Sequence, residues 1–356
     1  MKIKSYSVTP LRASLNQPFR TALGDHNVLE NVLFSITLTD GTKGFGEAAV
    51  ATHITGETVH QTIANLKNAG FILVGKGVSD HYKLSALLRE CLGHNKCALA
   101  AVETALMDAW TRQQKIPLWK FFGARPKKLA SDITIVIADL KETEEKVKEF
   151  YKQGFRAFKV KIGRDEDLDY KRVLAVKRLA PRCAIYLDAN QGYSAEQTLR
   201  FLKMIDRAGV RPQLIEQPVP REDYDGLKKV AKLSKVPVCA DESARSIADA
   251  LHIIKDKSAH AINIKLMKTG IFESIEIVLA ARARGIKLMV GGMMETSLAM
   301  TASAHMAVGL GCFDFVDLDT PFFIKNAVKK NPFLSSRGSY DLKNVKAGIG
   351  ITPREM

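Results

Sequence analysis

The chain has 356 residues, 46% apolar and 26% charged, a globular composition that excludes a disordered, collagen-like or disulfide-scaffold protein. It contains no run of 18 apolar residues, so no membrane-spanning helix is expected. Lys and Arg number 53 against 38 Asp and Glu, a net charge of +15, but the basic clusters (Lys127-Lys128, or Lys228-Lys229 with Lys232 and Lys235) are short and lack interleaved aromatics, so nucleic acid and membrane partners are not expected.

The N-terminal residues 2–8 alternate like a strand and lack the apolar stretch of a secretory signal. Five scattered cysteines, with no Cys-x-x-Cys pair, fit a reduced, cytoplasmic setting. Residues 31–39 alternate as a second strand, Asp40-Gly41 is a turn signal, and 42–47 is the return strand. The apolar period then becomes helical over 58–68, 81–92 and 98–114. The last of these mixes small and large residues (Ala101, Ala105, Met107, Trp110), the mark of a tightly packed helix. Residues 1–120 therefore predict an α+β capping domain.

From about residue 130 short apolar strands alternate with amphipathic helices. Strands are predicted at 132–138, 157–161, 184–188, 213–216, 238–241, 261–265, 287–290 and 315–317. Repeated strand-helix units imply a parallel sheet, and eight of them imply an α/β, TIM-type (β/α)7β barrel over 121–324. The tail, 325–356, is too irregular to fold alone and is expected to return to the capping domain.

In such a barrel the chemistry sits at the C-terminal ends of the strands. Five consecutive strands end in Lys161, Asp188, Glu216, Asp241 and Lys265, spaced 24 to 28 residues apart. Singly, each has an ordinary explanation: Asp188 as a helix cap, Glu216 as a loop residue, Lys159 and Lys161 as a solvated strand face. Together they do not, because burying such charges apart from one another is costly. Three carboxylates on adjacent strands make an oxygen cage suited to Mg²⁺. Lys159 shares a strand face with Lys161. Mutual repulsion is expected to lower both ammonium pKa values, and a base at ~7 to 8 is usable at neutral pH.

The stretches Lys159-Val160-Lys161, Leu187-Asp188-Ala189-Asn190-Gln191, Ile215-Glu216-Gln217-Pro218, Ala240-Asp241-Glu242-Ser243 and Asn263-Ile264-Lys265-Leu266-Met267-Lys268-Thr269-Gly270 resemble the enolase superfamily, and within it the muconate-lactonizing-enzyme subgroup. The likeness covers nearly the whole chain. The seventh strand ends Val290-Gly291-Gly292-Met293-Met294-Glu295, without the histidine of the racemase and dehydratase branches, and the eighth carries Asp317-Leu318-Asp319. That Asp-x-Asp looks like the dipeptide epimerases.

The resemblance implies that Lys161 and Lys265 are the acid/base pair, that Asp188, Glu216 and Asp241 hold one Mg²⁺ per subunit, and that Asp317 and Asp319 bind the α-ammonium of a dipeptide. Lys159, Asp25, His26, Ile54 and Glu295 are expected to be further substrate contacts, supported by Asn190 and Lys268. The implied reaction inverts the α-carbon of the C-terminal residue by two-lysine 1,1-proton transfer through a metal-stabilised enediolate, in a homo-oligomer. N-succinylamino acid racemization, o-succinylbenzoate synthesis and muconate cycloisomerization are rival chemistries for the same site. A catalytically silent metal- or nucleic-acid-binding barrel is a more remote one. The chain departs from the family in two places. Gly24 stands where glutamate-specific relatives often carry arginine, and Ile271 where a second glycine is usual. With Asp25 beside Gly24, a neutral or cationic C-terminal residue, or broad specificity, is expected over glutamate.

Overall fold

Strands β1 (Ile3–Thr21), β2 (Gly24–Leu38) and β3 (Lys43–Ala48) form an antiparallel sheet in that order. This computed structural model describes residues 1–123 and 126–353, apart from the side chains of 328 and 329. Residues 124–125 and 354–356, within the expected barrel and tail segments, lie outside the described residues. β1 runs well past the predicted 2–8. Pro10 and Pro18 interrupt its sequence pattern, yet β1 is an edge strand, where a missing N–H is tolerated.

Helices α1 (Val59–Leu73), α2 (His81–Leu92) and α3 (Lys96–Gln113) cover this sheet and share one apolar core with it, including Val32, Phe34, Ile36, Leu66 and Leu88. β3 lies almost on the backbone of α3. A Cβ on Gly46 would stand 1.9 Å from the Ala101 carbonyl oxygen and 3.0 Å from the Ala105 nitrogen. Neither partner can move, because both are helix backbone. Gly46→Ala is expected to cost about 3 kcal/mol, the upper end of ordinary overpacking, and to lower Tm in a thermal melt. An unchanged Tm would mean that β3 is free to lift off.

The eight-stranded sheet is parallel: β4 (Ile133–Ile135), β5 (Ala157–Lys161), β6 (Ala184–Asp188), β7 (Leu214–Glu216), β8 (Val238–Ala240), β9 (Ala261–Ile264), β10 (Lys287–Val290) and β11 (Phe315–Val316), paired in chain order. Its first and last strands also touch. Asp132 N donates to Val316 O at 3.0 Å, and Leu318 N to Ser131 Oγ at 2.7 Å. Helices α4 (Leu140–Gln153), α5 (Glu166–Leu179), α6 (Ala195–Arg207), α7 (Tyr224–Leu233), α8 (Ile247–Asp256), α9 (Leu266–Ala283) and α10 (Ser297–Leu310) follow successive strands. Local signals start them: Ser194 and Gln197 form a reciprocal capping box at α6, worth about 1 kcal/mol.

Ile271 has a structural account. α9 breaks at Gly270 (φ 73°, ψ −173°), and Glu103 of α3 accepts from Ile271 N and Phe272 N at 2.6 and 3.2 Å, capping the resumed helix. Only Gly270 has positive φ there, so the next residue is free to bury an isoleucine side chain. The tail reaches both parts of the molecule. Ile349 N donates to Asp108 and Arg112 donates to Ile351 O on the α3 side, while Tyr340 donates its hydroxyl to Leu318 O beside β11.

Candidate functional site

The strand register aligns Lys161 with Asp188 and Asp188 with Glu216. Asp241 directly follows β8 and Lys265 directly follows β9. All five charges therefore meet at one end of the sheet, and all are buried, with Lys161 7% and Lys265 4% exposed. Lys161 Nζ lies 2.6 Å from Asp188, and Lys265 Nζ lies 2.6 Å from Asp241. Lys159 bridges three carboxylates, Asp188 at 3.0 Å, Glu216 at 2.7 Å and Asp317 at 2.6 Å. Lys268 donates to both the side chain and the carbonyl of Asp241 and to Asn263 O. Asn263 in turn donates to Glu216 at 2.6 Å. Asn190 donates its backbone N–H to Asp188 and its amide to Glu242.

Burial dominates the electrostatics, and each carboxyl resolves it differently. Burial would raise Asp188, but Lys159 and Lys161 overcome it and hold the group at about 2. Asp241 is likewise depressed by Lys265 and Lys268 against its burial. Glu216 is pushed up to about 8 by burial and then by the Asp188 charge. Burial and Asp241 raise Glu242 to about 7, and burial and Asp317 raise Asp319 to about 7. The expected depression of Lys159 is corrected here. Burial does oppose its charge, but Asp188, Asp317, Glu216 and Asp132 outweigh it and raise the ammonium pKa. Lys265 is raised in the same way, chiefly by Asp241 against burial. Carboxylates, not lysine–lysine repulsion, set the balance at Lys159 and Lys265.

Lys159, Lys161, Lys265, Asn190, Glu242, Asp317 and Asp319 floor a cavity of about 870 Å³, measured out to its open mouth, whereas Asp188, Glu216 and Asp241 are not in its lining. Its opposite wall comes from the capping domain and the β10 loop: Phe19, His26, Val50, Ile54, Met293 and Met294. The His26 and His53 rings pack against each other at 4.0 Å between centroids, tilted by 38°. Burial lowers both pKa values, and His26 adds to the effect on His53, which falls to about 4.

His26 and Ile54 thus stand in the cavity wall, but two expected contacts do not. Asp25 is exposed and ion-paired to Arg164 at 2.6 Å, outside the cavity lining. Glu295 is buried behind the wall, accepting from Met293 N at 2.7 Å. Burial and Glu47 push its carboxyl up to about 8. Glu47 reaches from β3 to accept from Thr296 N and from Asn31, tying the capping sheet to the start of α10.

Sequence reasoning missed Glu242, Thr134 and Asp132. Glu242 was signalled by its place next to Asp241 at a strand end. Thr134, whose N–H donates to Asp319 at 2.6 Å, and Asp132 had no signal, because their partners lie about 185 residues away.

A second carboxylate group therefore accompanies the Asp188, Glu216 and Asp241 set. Asp132, Asp317 and Asp319 have carboxylate oxygens within 4.8 Å of one another, all buried.

The chain matches the mandelate racemase/muconate lactonizing enzyme N-terminal domain over residues 3–123 and the enolase C-terminal domain-like family over 142–356. A hydrophobic dipeptide epimerase of Citrifermentans bemidjiense is 48% identical, with 99% of this chain and 98% of the relative covered. The substrate-liganded L-Ala-D/L-Glu epimerase of Bacillus subtilis superposes with a TM-score of 0.95 at 32% identity, covering 98% of each chain. The dipeptide epimerase of Enterococcus faecalis V583, complexed with Mg and L-Leu-L-Tyr, superposes at 0.93 with 30% identity, covering 99% of this chain and 100% of that one. The chain belongs to the enolase superfamily, in its mandelate racemase/muconate lactonizing enzyme family.

Proposed function

We propose that this protein is a Mg²⁺-dependent epimerase of dipeptides whose C-terminal residue is apolar. The observation that carries the reading is the pair of buried lysines, Lys161 and Lys265, each held on a different carboxylate of one strand-end set. The dipeptide specificity named for the C. bemidjiense relative, and the ligands of the E. faecalis structure, support it.

The donor set fits Mg²⁺. Asp188, Glu216 and Asp241 offer only carboxylate oxygens, and buried Glu216 Oε2 and Asp241 Oδ2 accept no hydrogen bond, although an ammonium lies within 2.7 Å of each. The Asp132 group has the same donor chemistry, but neither Lys161 nor Lys265 pairs with it, so we assign the metal to Asp188, Glu216 and Asp241. Bound Mg²⁺ supplies the positive charge that makes a carbon beside a carboxylate acidic.

The chain's own residues do the rest. One lysine removes the α-proton from one face of the substrate and the other returns a proton to the opposite face. Lys159 links the metal-binding set to Asp317, keeping both halves of the site in register. Asp317 and Asp319 hold the substrate's α-ammonium, a charge-assisted contact that N-succinyl substrates cannot make. We read the sheet as a closed (β/α)7β barrel over 121–324, with 1–120 as the capping domain and 325–356 as the returning tail. The five cysteines are free, which accords with a cytoplasmic setting, and we retain the homo-oligomer as part of this reading. No helix among the described residues is long and apolar enough to cross a membrane.

The wall narrows the side-chain preference. Among the described residues, the cations lining the cavity are Lys159, Lys161 and Lys265, all on the floor, while the two histidines are held neutral. Lys268 is committed to Asp241. Among the described residues, no uncommitted cation is left in the wall to form an ion pair with a substrate glutamate. With Asp25 outside the cavity, the case for a cationic side chain rests on Glu30, which lines the cavity but is already ion-paired to Arg12 at 2.7 Å. Burying a leucine or phenylalanine side chain is worth about 1.5 to 3 kcal/mol, roughly one to two factors of ten.

A dipeptide library incubated in D₂O and read by mass spectrometry tests this. Ala-Leu and Ala-Phe are expected to gain α-deuterium at least about tenfold faster than Ala-Glu or Ala-Lys, and N-acetylated dipeptides are expected to be poor substrates. Preference for N-succinyl amino acids over free dipeptides would move the function to racemization, and preference for Ala-Glu would overturn the wall's reading.

A further inference from the structure

Beneath Asp317 and Asp319 lies a carboxyl group that the proposed reaction does not touch. Asp132 immediately precedes β4, is 1% exposed and does not line the cavity. One of its oxygens approaches both Asp317 and Asp319 carboxylates within 4.8 Å, and neither of its oxygens has a hydrogen-bond partner in the protein. Its backbone is fixed, since Asp132 N donates to Val316 O, one residue before Asp317. The two carboxylates above it are committed on their other sides. Asp317 Oδ2 accepts from Lys159 and Asp319 Oδ2 from Thr134 N, both at 2.6 Å.

The charges do not balance if all three carboxyls ionise. The groups facing Asp132 are Asp317, Asp319, Lys159 and Tyr186. Lys159 is the one cation among them, and Asp188 and Glu216 already share it. Three buried anions within 4.8 Å of one another, facing a shared ammonium, would cost several kcal/mol. The strain is relieved if one carboxyl keeps its proton and donates it to a neighbour, as in other carboxyl pairs. Asp132 is the member that does not line the cavity and has no hydrogen-bond donor of its own, whereas Asp317 and Asp319 each accept from one. Burial, then Asp317 and Asp319, push its carboxyl well above the usual range.

We propose that Asp132 is a positioning residue: a neutral carboxylic acid that donates a hydrogen bond upward to the Asp317–Asp319 pair and fixes those carboxylates to receive the substrate's α-ammonium. The inference rests on the dipeptide reading, because it assigns Asp132 to that ammonium site. The same three carboxyls also offer the oxygen donors of a second divalent cation, and the experiment separates the two.

Asp132→Asn keeps the shape and a donor, and Asp132→Ala removes both. Wild type is assayed first on the dipeptides of the D₂O library. No exchange on any dipeptide would remove the dipeptide reading itself. With exchange present, Asp132→Asn is expected to keep kcat and KM within about threefold, while Asp132→Ala raises KM tenfold or more with kcat within about threefold. An Asp132→Ala variant equal to wild type, or an Asp132→Asn variant down a hundredfold, would overturn the inference. Two readouts are independent of activity and stand even if the alanine variant folds poorly. The infrared difference spectrum of wild type minus Asp132→Asn is expected to show the C=O stretch of a neutral carboxylic acid; a carboxylate band in its place refutes the neutral acid. Metal content in excess Mg²⁺ is expected to be one ion per chain in both proteins. Two ions in wild type and one in Asp132→Asn would make the group a metal site instead.

Discussion

Lys161→Ala and Lys265→Ala are each expected to abolish epimerization while retaining α-proton exchange on one enantiomer only. Removing a positioned general base or acid costs roughly 10²- to 10⁴-fold, and here inversion needs both. Exchange needs only one, because the surviving lysine can take a proton and return it to the same face. The two lysines sit against different walls. Lys161 Nζ lies 5.9 Å from the Phe19 ring centroid, and Lys265 Nζ lies 3.8 Å from Met293 Sδ. Losing one should therefore not displace the other. Nor should either variant unfold. An unpaired buried charge costs about 3 to 5 kcal/mol, but Asp188 keeps Lys159 when Lys161 is lost, and Asp241 keeps Lys268 when Lys265 is lost. Exchange measured in D₂O on each dipeptide diastereomer decides the matter. A variant that still epimerizes at a near wild-type rate, or exchanges both diastereomers equally, would show that the two-base assignment is wrong.

The residues legible in the sequence were those whose position follows from one strand and one helix. Lys161, Asp188, Glu216, Asp241 and Lys265 recur at that interval, so strand periodicity alone brings them to one end of the sheet. Contacts between distant parts of the chain were not legible. Asp132 meets Asp317 and Asp319 only because the sheet's first and last strands touch, and Glu103 caps α9 from the other domain. Loop direction was equally hidden. Asp25 and His26 are adjacent in sequence, yet one pairs with Arg164 at the surface and the other lines the cavity. The sign of the Lys159 shift was misjudged for a related reason. Its neighbour on the same strand face was visible, whereas the carboxylates that control it come from the ends of four other strands.

Glu216→Gln and Asp241→Asn are both expected to eliminate turnover and Mg²⁺ binding, but only the second should lower stability markedly. The difference lies in which cations each carboxylate holds. Glu216 pairs with Lys159, which retains Asp188 and Asp317 if Glu216 becomes neutral, and a glutamine can still accept from Asn263. Asp241 holds two buried ammonium groups, Lys265 and Lys268. Neutralising it leaves Lys268 with carbonyl partners and Lys265 without its ion pair, at about 3 to 5 kcal/mol. The measurements are Mg²⁺ titration by calorimetry, turnover before and after EDTA with Mg²⁺ restored, and thermal melts in metal-free buffer. Glu216→Gln is the cleaner probe, since its lost activity cannot be attributed to unfolding. If it binds Mg²⁺ and turns over like wild type, while Asp317→Asn loses the metal, the ion belongs on the Asp132 group and the roles assigned to the two carboxylate sets must be exchanged.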